Sequence, residues 1–382
     1  MGYFMKLYLI FSACMLSSVM LFPAKDQEKY TLQSKATTPP QFNRNISCSK
    51  EGNVITVHGE ADITVFTHNR AGLINQQAHI TSGLDIETLA VSPDGDYMCV
   101  GSEDGIIRIF GTHSGALVKE LDIHDKSAVK QFSFFPEQNH TRDFYSLSAG
   151  LLHLNRYTLT PNITHSLQSH ILQAVYFPKV LVPIIINYLG DWKQKRTPIK
   201  IDQRFDHAAF SSDQTTLVLA QKKIISLLSL KKGNINPRQK SAKSMYVEGD
   251  GSIDAIAVSP NGQYIAAGLN NGDVCQWTVT PEMRSSKFVH DIPESACARI
   301  AGEQSNNFTN FITGLTYRYS PVPEVMAARS GIVSLCDFNT KAVQHVAKVP
   351  CFIRASATTS QGTIIVLTAQ NEICIYANST KK

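Results

Sequence analysis

Residues 89–110 read LAVSPDGDYMCVGSEDGIIRIF, and residues 256–277 read IAVSPNGQYIAAGLNNGDVCQW. The two stretches share one plan: an apolar strand, a Ser-Pro-Asx-Gly turn, a second strand, a polar turn that ends in glycine, and a third strand. Short apolar segments between such turns are typical of antiparallel β-strands. The sequence therefore contains at least two copies of one β-sheet unit.

Weaker copies of this unit fill most of the remaining chain. The first turn of each copy falls near Lys50, Pro93, Pro136, Pro178, Ser212, Pro260, Pro321 and Gln361. A repeat of about 40–45 residues with four strands is typical of a β-propeller blade. We therefore predict an all-β fold, a propeller of seven or eight four-stranded blades that spans residues 46–380.

The best copies resemble repeats of the WD40 family. The turns at 92–95 (SPDG) and 102–104 (SED) match that family, and its closing Trp and Asp are each kept once, in different units. The resemblance implies a structural network within the blades, to which it assigns His79, Ser102, Asp104, His124, Trp277 and Asp337. It favours this role over a Ser–His–Asp catalytic triad, because no nucleophile motif such as GxSxG accompanies the serine.

Three segments depart from the repeat. The fourth unit, residues 172–202, has a polar third segment and is either an irregular blade or an insertion. The last unit lacks a fourth strand, which residues 29–35 are able to supply, closing the ring. Residues 283–311 are polar with few strand signals, and we expect a functional loop or a disordered segment there.

The N-terminal segment is apolar from residue 1 to residue 22 apart from Lys6. We predict that residues 1–24 are an export signal or a membrane anchor, and that residues 25–45 are a linker. Cleavage after Ala24, retention as an anchor, lipidation of Cys14 and an apolar element of the domain all remain open. The chain is accordingly expected to be exported (periplasmic, secreted or lumenal) or held at a membrane.

The chain has eight cysteines and no CxxC pair, and its twelve histidines form no HExxH motif. Cys99, Cys275, Cys336 and Cys374 fall within predicted strands, and the cysteines are interpreted as small buried apolar residues. Phosphate-binding glycine motifs are also absent from the sequence. We therefore expect no metal site and no cofactor.

Positive charge is concentrated between residues 193 and 243, which include twelve basic and three acidic residues, although the net charge of the whole chain is only +5. The candidate binding residues there are Lys193, Lys195, Arg196, Lys222, Lys223, Lys231, Lys232, Arg238, Lys240 and Lys243. Such a patch attracts an acidic protein, a membrane surface or nucleic acid. Nucleic acid is the weakest of the three because few aromatic residues lie nearby. Alternatively, these are solvated loop charges.

The sequence favours a non-enzymatic interaction scaffold: a monomeric propeller that docks a protein or another macromolecule through its loops. A secreted propeller enzyme (a hydrolase, a lyase or a quinoprotein-like oxidoreductase) is the first alternative. Its candidate channel residues are Glu87, Lys130, Asp254 and Arg354. An envelope-anchored assembly scaffold is the second alternative.

Overall fold

The computed structural model describes the main chain of residues 30–39, 44–69, 72–122, 127–134, 142–148, 152–159, 200–201, 205–211, 213, 215–230, 243–247, 251–279, 296–299, 312–317, 324–338, 342–349 and 351–378. Regular structure in these ranges consists of β-strands. No helix within them is long and apolar enough to cross a membrane.

The described strands form seven four-stranded antiparallel sheets. The chain begins with β1 (Tyr30–Thr37). Sheet 1 then comprises β2 (Asn45–Cys48), β3 (Val54–His58), β4 (Asp62–His68) and β5 (Ile74–Thr81). Sheet 2 comprises β6 (Ile86–Val91), β7 (Tyr97–Ser102), β8 (Ile106–Gly111) and β9 (Leu117–Asp122). Sheet 3 comprises β10 (Val129–Phe134), β11 (Arg142–Ser148), β12 (Leu152–Leu159) and β13 (Lys200–Ile201).

The second half of the chain repeats this order. Sheet 4 comprises β14 (His207–Phe210), β15 (Thr216–Gln221), β16 (Ile224–Ser229) and β17 (Lys243–Tyr246). Sheet 5 comprises β18 (Ile253–Val258), β19 (Tyr264–Leu269), β20 (Asp273–Thr278) and β21 (Ala296–Arg299). Sheet 6 comprises β22 (Ile312–Tyr317), β23 (Glu324–Arg329), β24 (Ile332–Asp337) and β25 (Ala342–Lys348). Sheet 7 comprises β26 (Ile353–Thr358), β27 (Ile364–Thr368) and β28 (Glu372–Asn378), with β1 as its outer strand.

The burial of a strand follows its place in the sheet. The second strands β3 and β7 are buried at every position. The outer strand β5 instead alternates between half-buried and exposed residues. A strand covered on both faces reads as a continuous apolar run, whereas an outer strand needs one apolar face at most. The sheets are therefore packed face to face along their inner strands.

Apolar clusters join each sheet to the next around the whole set. Val54 of sheet 1 packs with Ile86 of sheet 2 in one cluster. The next clusters link sheets 2 and 3, 3 and 4, 4 and 5, 5 and 6, and 6 and 7 in turn. The last cluster brings Ile375 of sheet 7 against Val57 of sheet 1. The sheets thus form a closed ring, which confirms the predicted all-β propeller.

The ring closes through β1, which pairs with β28 from Tyr30 opposite Asn378 to Thr37 opposite Glu372. An ion pair of 2.7 Å joins Lys35 Nζ to Glu372 Oε1. On the other side, the Ser34 hydroxyl donates to the carbonyl of Gly72 in sheet 1. The outer strand of sheet 7 therefore comes from the start of the described chain, as the sequence predicted for residues 29–35.

Three predictions concern segments that lie wholly or partly outside the described residues. Residues 1–24 lie outside them, and so does residue 178, the mark of the fourth unit. Of residues 172–202 the structure describes only Lys200–Ile201, which pair with β12 as the outer strand of sheet 3. Within residues 283–311 the structure describes β21, which pairs with β20. The rest of that segment lies outside the described residues, so the expected functional loop or disordered segment stays a prediction.

Removing β1 will test how much the ring depends on its closure. A chain that starts at Pro40 exposes the edge of β28 and the pocket of Tyr30, so we expect a loss of about 3 kcal/mol or more, which is on the order of 6–12 °C in Tm. A chain that starts at Asp26 is the control. A synthetic peptide of residues 29–39 will restore the Tm, and equal melting of both chains without peptide contradicts the role of β1.

Candidate functional site

The loops of the ring lie on two faces. We call the lower face the side that holds the turns between the first and second strands of each sheet, such as the turn at Pro93. We call the upper face the side that holds the turns between second and third strands and the connections between sheets. A protein of this shape offers both faces to partners, because loops surround a rigid frame.

On the lower face the recurring polar residues hold the turns themselves. The Ser92 hydroxyl donates to Asp94 Oδ1 at 2.5 Å and accepts from the backbone N–H of Tyr97 at 3.0 Å. Ser211 makes the same two bonds with Asp213 and Thr216. Ser259 makes them with Asn261 and Tyr264. The turn serines and Asx residues are therefore occupied by structural bonds.

On the upper face Ser102 and Asp104 converge on one arginine. The guanidinium of Arg108 donates to Asp104 Oδ2 at 2.9 Å and to the Ser102 hydroxyl at 3.3 Å. The backbone N–H of Ile106 donates to Asp104 Oδ1 at 3.0 Å. Glu120 of the outer strand accepts from Arg108 Nε at 3.0 Å. This set links three segments of sheet 2.

His79 belongs to a separate set in sheet 1. Its Nδ1 lies 3.2 Å from the Thr64 hydroxyl, and its Nε2 lies 3.7 Å from Asp62 Oδ1. Sheet 6 has the same arrangement, in which Ser334 and His345 Nδ1 are 2.9 Å apart. The structure thus places His79 with Asp62 and Thr64, and gives Ser102 and Asp104 the guanidinium of Arg108 instead. The arginine was missed because the sequence analysis sought histidines as partners.

The other members of the predicted network are apolar, peripheral or outside the described residues. Trp277 is 1% exposed in the cluster between sheets 4 and 5. Equivalent places in other sheets hold buried Phe66, Phe110 and Cys336, so several side chains fill this position. Asp337 ends β24 and is half-buried. His124 lies outside the described residues.

The candidate channel residues Glu87, Lys130, Asp254 and Arg354 each stand second in an inner strand, where the pairing register shifts. A bulge of this kind leaves one residue unpaired and turns its side chain away from the ladder. Lys130 Nζ contacts Glu87 Oε2 at 2.5 Å. Arg354 donates to Asn371 Oδ1 and to the carbonyl of Ala369, both at 3.3 Å. Three of the four side chains therefore bind neighbouring protein groups.

Asp254 is the exception among these four residues. Its Oδ2 is inaccessible to solvent and has no hydrogen-bond partner within the described residues, although the residue as a whole is half-buried. Burial raises the pKa of this carboxyl to about 6. An ionised carboxylate is therefore disfavoured at this end of the channel, and no neighbouring acid or base in the described part of the chain accompanies it as a catalytic partner.

A cavity of about 290 Å³ lies toward the lower end of the inner strands β10, β14, β18 and β22. Its lining is neutral and combines small residues such as Ala208 and Thr316 with the larger Phe132 and Phe210. Tyr317 also lines it, with its hydroxyl accepting from Gln276 Nε2 at 3.1 Å. Burial raises the pKa of Tyr317 well above its usual range. The lining residues therefore offer no group that exchanges protons near neutral pH.

Only part of the predicted basic patch lies within the described residues. Lys222 and Lys223 form the upper-face turn between β15 and β16, and Lys243 begins β17. β16 then runs to the lower face, and the segment with Lys231, Lys232, Arg238 and Lys240 leaves from that end. Six residues of strand separate the two ends by about 20 Å. This segment, together with Lys193, Lys195 and Arg196, lies outside the described residues.

Removing the Asp104 carboxylate will test its structural role. Asp104→Ala deletes two bonds to a largely buried guanidinium, and we expect a loss of about 1–2 kcal/mol in unfolding free energy. Glu103→Ala, one residue earlier in the same turn, is the control and will change stability by less than about 0.5 kcal/mol. Partner binding will persist in both folded variants. Loss of binding at an unchanged Tm contradicts this assignment.

The raised pKa of Asp254 predicts a dependence of stability on pH. A carboxyl whose folded pKa is raised favours folding below its ordinary pKa of 3.8 and loses that contribution as pH rises through about 6. Between these values the native chain will lose up to about 1 kcal/mol relative to Asp254→Asn, since solvent at the channel end screens the charge. Glu103→Gln is the control. Parallel stability curves for native chain and Asp254→Asn contradict the burial of this carboxylate.

Comparison with known proteins agrees with this geometry. Residues 48–135 match the family model of the anaphase-promoting complex subunit 4 WD40 domain, and residues 242–278 match that of the WD domain, G-beta repeat.

Among individual proteins, striatin of Rattus norvegicus is 30% identical over 111 residues, which cover 28% of this chain and 14% of striatin. Striatin of Homo sapiens is 29% identical over 127 residues, covering 31% of this chain and 16% of that protein. The similarity thus spans about a seventh of those relatives. Together with the ring of sheets, these matches identify the chain as a WD40-repeat-like β-propeller with degenerate repeats.

Proposed function

We propose that this chain is an interaction scaffold, a rigid propeller that holds a protein partner on its loop faces and performs no chemistry. The observation that carries the proposal is that the recurring polar residues make structural hydrogen bonds. Those on the lower face hold turns, and Ser102 with Asp104 on the upper face binds Arg108. The residues that a motif search singles out are therefore engaged in structure, and the remaining variable feature is the surface of the loops.

We further propose that the complete ring has seven blades, one for each four-stranded sheet. Two features support this number. The seven apolar clusters lead from sheet 1 through sheet 7 and back. In addition, Lys200–Ile201 pair with β12 as the outer strand of sheet 3, so the described strands on either side of residues 160–199 belong to one sheet.

The propeller enzyme is the weaker alternative. Such an enzyme needs positioned acids, bases or ligands for a cofactor around the channel. Of the candidate channel residues, Glu87 and Lys130 neutralise each other and Arg354 binds a turn. Asp254 alone does not supply an acid–base pair. The charged groups described there favour a structural role.

We also propose that residues 1–24 export the chain or anchor it in a membrane. The described chain enters the ring at Tyr30, opposite Asn378, on the lower face. A linker of residues 25–29 spans at most about 18 Å. An uncleaved anchor would therefore hold the lower face toward the membrane and leave the upper face free for partners.

Cross-linking will test the scaffold proposal on the native, full-length chain. We expect partner cross-links to concentrate on the upper face, at lysines such as Lys222, and to be sparse at Lys50 on the lower face. Intact mass of the same material reports whether the chain begins near Lys25, at a lipidated Cys14 or at Met1. Absence of any stable protein partner, with turnover of a small substrate, contradicts the proposal.

A further inference from the structure

Two large apolar side chains stand exposed side by side on sheet 4. Ile224 is 43% exposed and Tyr246 is 61% exposed. They are directly opposite in the antiparallel register of β16 and β17, so they share one face of the sheet. Apolar side chains exposed together, unlike scattered ones, indicate a contact surface.

The exposed pair lies at one end of a face that is packed elsewhere. On the same face of sheet 4, Tyr145 of sheet 3 stacks on Phe210 with ring centroids 5.5 Å apart. Leu228, toward the lower end of β16, is buried as well. Ile224 and Tyr246 lie at the upper end of β16 and β17, beside the turn that carries Lys222.

Two cations border this apolar pair. The Nζ of Lys223 lies 6.0 Å from the centroid of the Tyr246 ring, and the adjacent Lys222 is exposed. The turn that carries them is held firmly. The N–H of Val247 donates to the carbonyl of Lys223 at 2.8 Å, and the N–H of Ile253 donates to that of Lys222 at 2.7 Å. A surface held in place before binding loses less entropy when a partner docks.

The backbone of Lys222 is unusual for a lysine. Its φ is +52°, in the left-handed region, where the upper-face turns of sheets 2 and 5 have Gly105 and Gly272, and those of sheets 6 and 7 have Ser330 and Asn371. Glycine reaches this conformation without a steric penalty, whereas a residue with a Cβ does not. Smaller residues serve at the other turns, so folding does not require a lysine at this one.

From these observations we propose that Lys222, Lys223, Ile224 and Tyr246, here named the Lys222 corner, bind an acidic peptide segment of a protein partner. The carboxylates of the segment meet the two lysines, and one of its apolar side chains packs on Ile224 and Tyr246. This assignment rests on the proposed scaffold function and specifies a site for it. Charge complementarity selects an acidic segment, and an exposed tyrosine beside an aliphatic residue supplies an anchor for an apolar side chain.

A peptide fits this corner better than a bilayer or RNA does. Membrane surfaces are held by clusters of four to eight basic residues, two to four times the two lysines described at this corner. Single-stranded nucleic acid needs several aromatic platforms, whereas the described corner provides Tyr246. Anionic vesicles and a single-stranded RNA nevertheless serve as comparison ligands.

Selection from a displayed library of random dodecapeptides on the folded full-length protein tests the proposal. We expect enriched peptides to be acidic with at least one large apolar residue. Binding of the synthetic peptides, followed by fluorescence anisotropy, will weaken about tenfold in Tyr246→Ala and at least tenfold in the double variant Lys222→Glu with Lys223→Glu. The double variant Lys50→Glu with Lys119→Glu makes the same charge change elsewhere and will bind normally.

Lys222→Gly separates recognition from folding. Glycine relieves the left-handed backbone, so the Tm will stay equal or rise while peptide affinity falls about threefold or more. The acidic residues Glu248 and Asp250 follow β17 in the sequence. Neutralising both, by Glu248→Gln with Asp250→Asn, removes competing carboxylates and will leave affinity unchanged or increase it.

The outcomes distinguish this site from the scaffold function. Peptides that bind equally well to Tyr246→Ala and to the Lys222/Lys223 double variant overturn the Lys222 corner and leave the scaffold proposal standing. Enrichment of basic peptides, weaker binding after neutralising Glu248 and Asp250, or tighter binding to vesicles or RNA than to any acidic peptide also overturns it. A folded chain from which no peptide enriches and to which no protein cross-links contradicts both proposals.

Discussion

The structure depends on the pairing of β1 with β28, because this ladder joins the two ends of the described chain in one sheet. Without it, sheet 7 would have three strands, and sheets 7 and 1 would be joined by side-chain packing and by the bond from the N–H of Ser360 to the carbonyl of Lys50. The closing strand contacts both neighbours: Lys35 pairs with Glu372 in sheet 7, and Ser34 donates to sheet 1. In a closed ring the free edge of every inner strand faces the channel. These edges are therefore not available for pairing with the strands of another molecule.

Closure makes the packing between sheets mutually dependent. Where the second strand of one sheet meets the first residue of the next, there is no room for a Cβ. Ideal Cβ atoms on Gly101 and Gly268 would lie 2.6 Å from Val129 and 2.7 Å from Ile312. Each sheet is thus fitted against its successor at close range, which suits a frame that holds loops still. The loop faces gain their rigidity from this frame and from backbone bonds between neighbouring turns, such as the N–H of Lys50 to the carbonyl of Pro93 at 3.1 Å and the N–H of Asp213 to that of Pro260 at 3.2 Å.

Much of the fold was predictable because its signals are local. Ser-Pro-Asx-Gly turns and buried second strands appear in the sequence as turn residues and apolar runs, and Trp277 marks the end of a third strand. Outer strands escaped prediction, since β21 and β13 are short and gain their order from pairing with a neighbour. The partners of Asp104 and His79 also escaped it, because the choice between arginine and histidine depends on which strands stand side by side. The exposure of Tyr246 depends on how neighbouring sheets pack, which no local pattern encodes.

The proposed interaction site consists of side chains that the packed sheets leave exposed, and the packing of the sheets depends on the closing strand β1. Hydrogen–deuterium exchange of the native chain, resolved to β1 and β28, tests this dependence most directly. The account predicts that amides of both strands exchange together and as slowly as those of β27, through opening of the whole ring. Fast exchange of β1, with β28 and β27 still protected, would contradict it, because the ring would then persist without its closure.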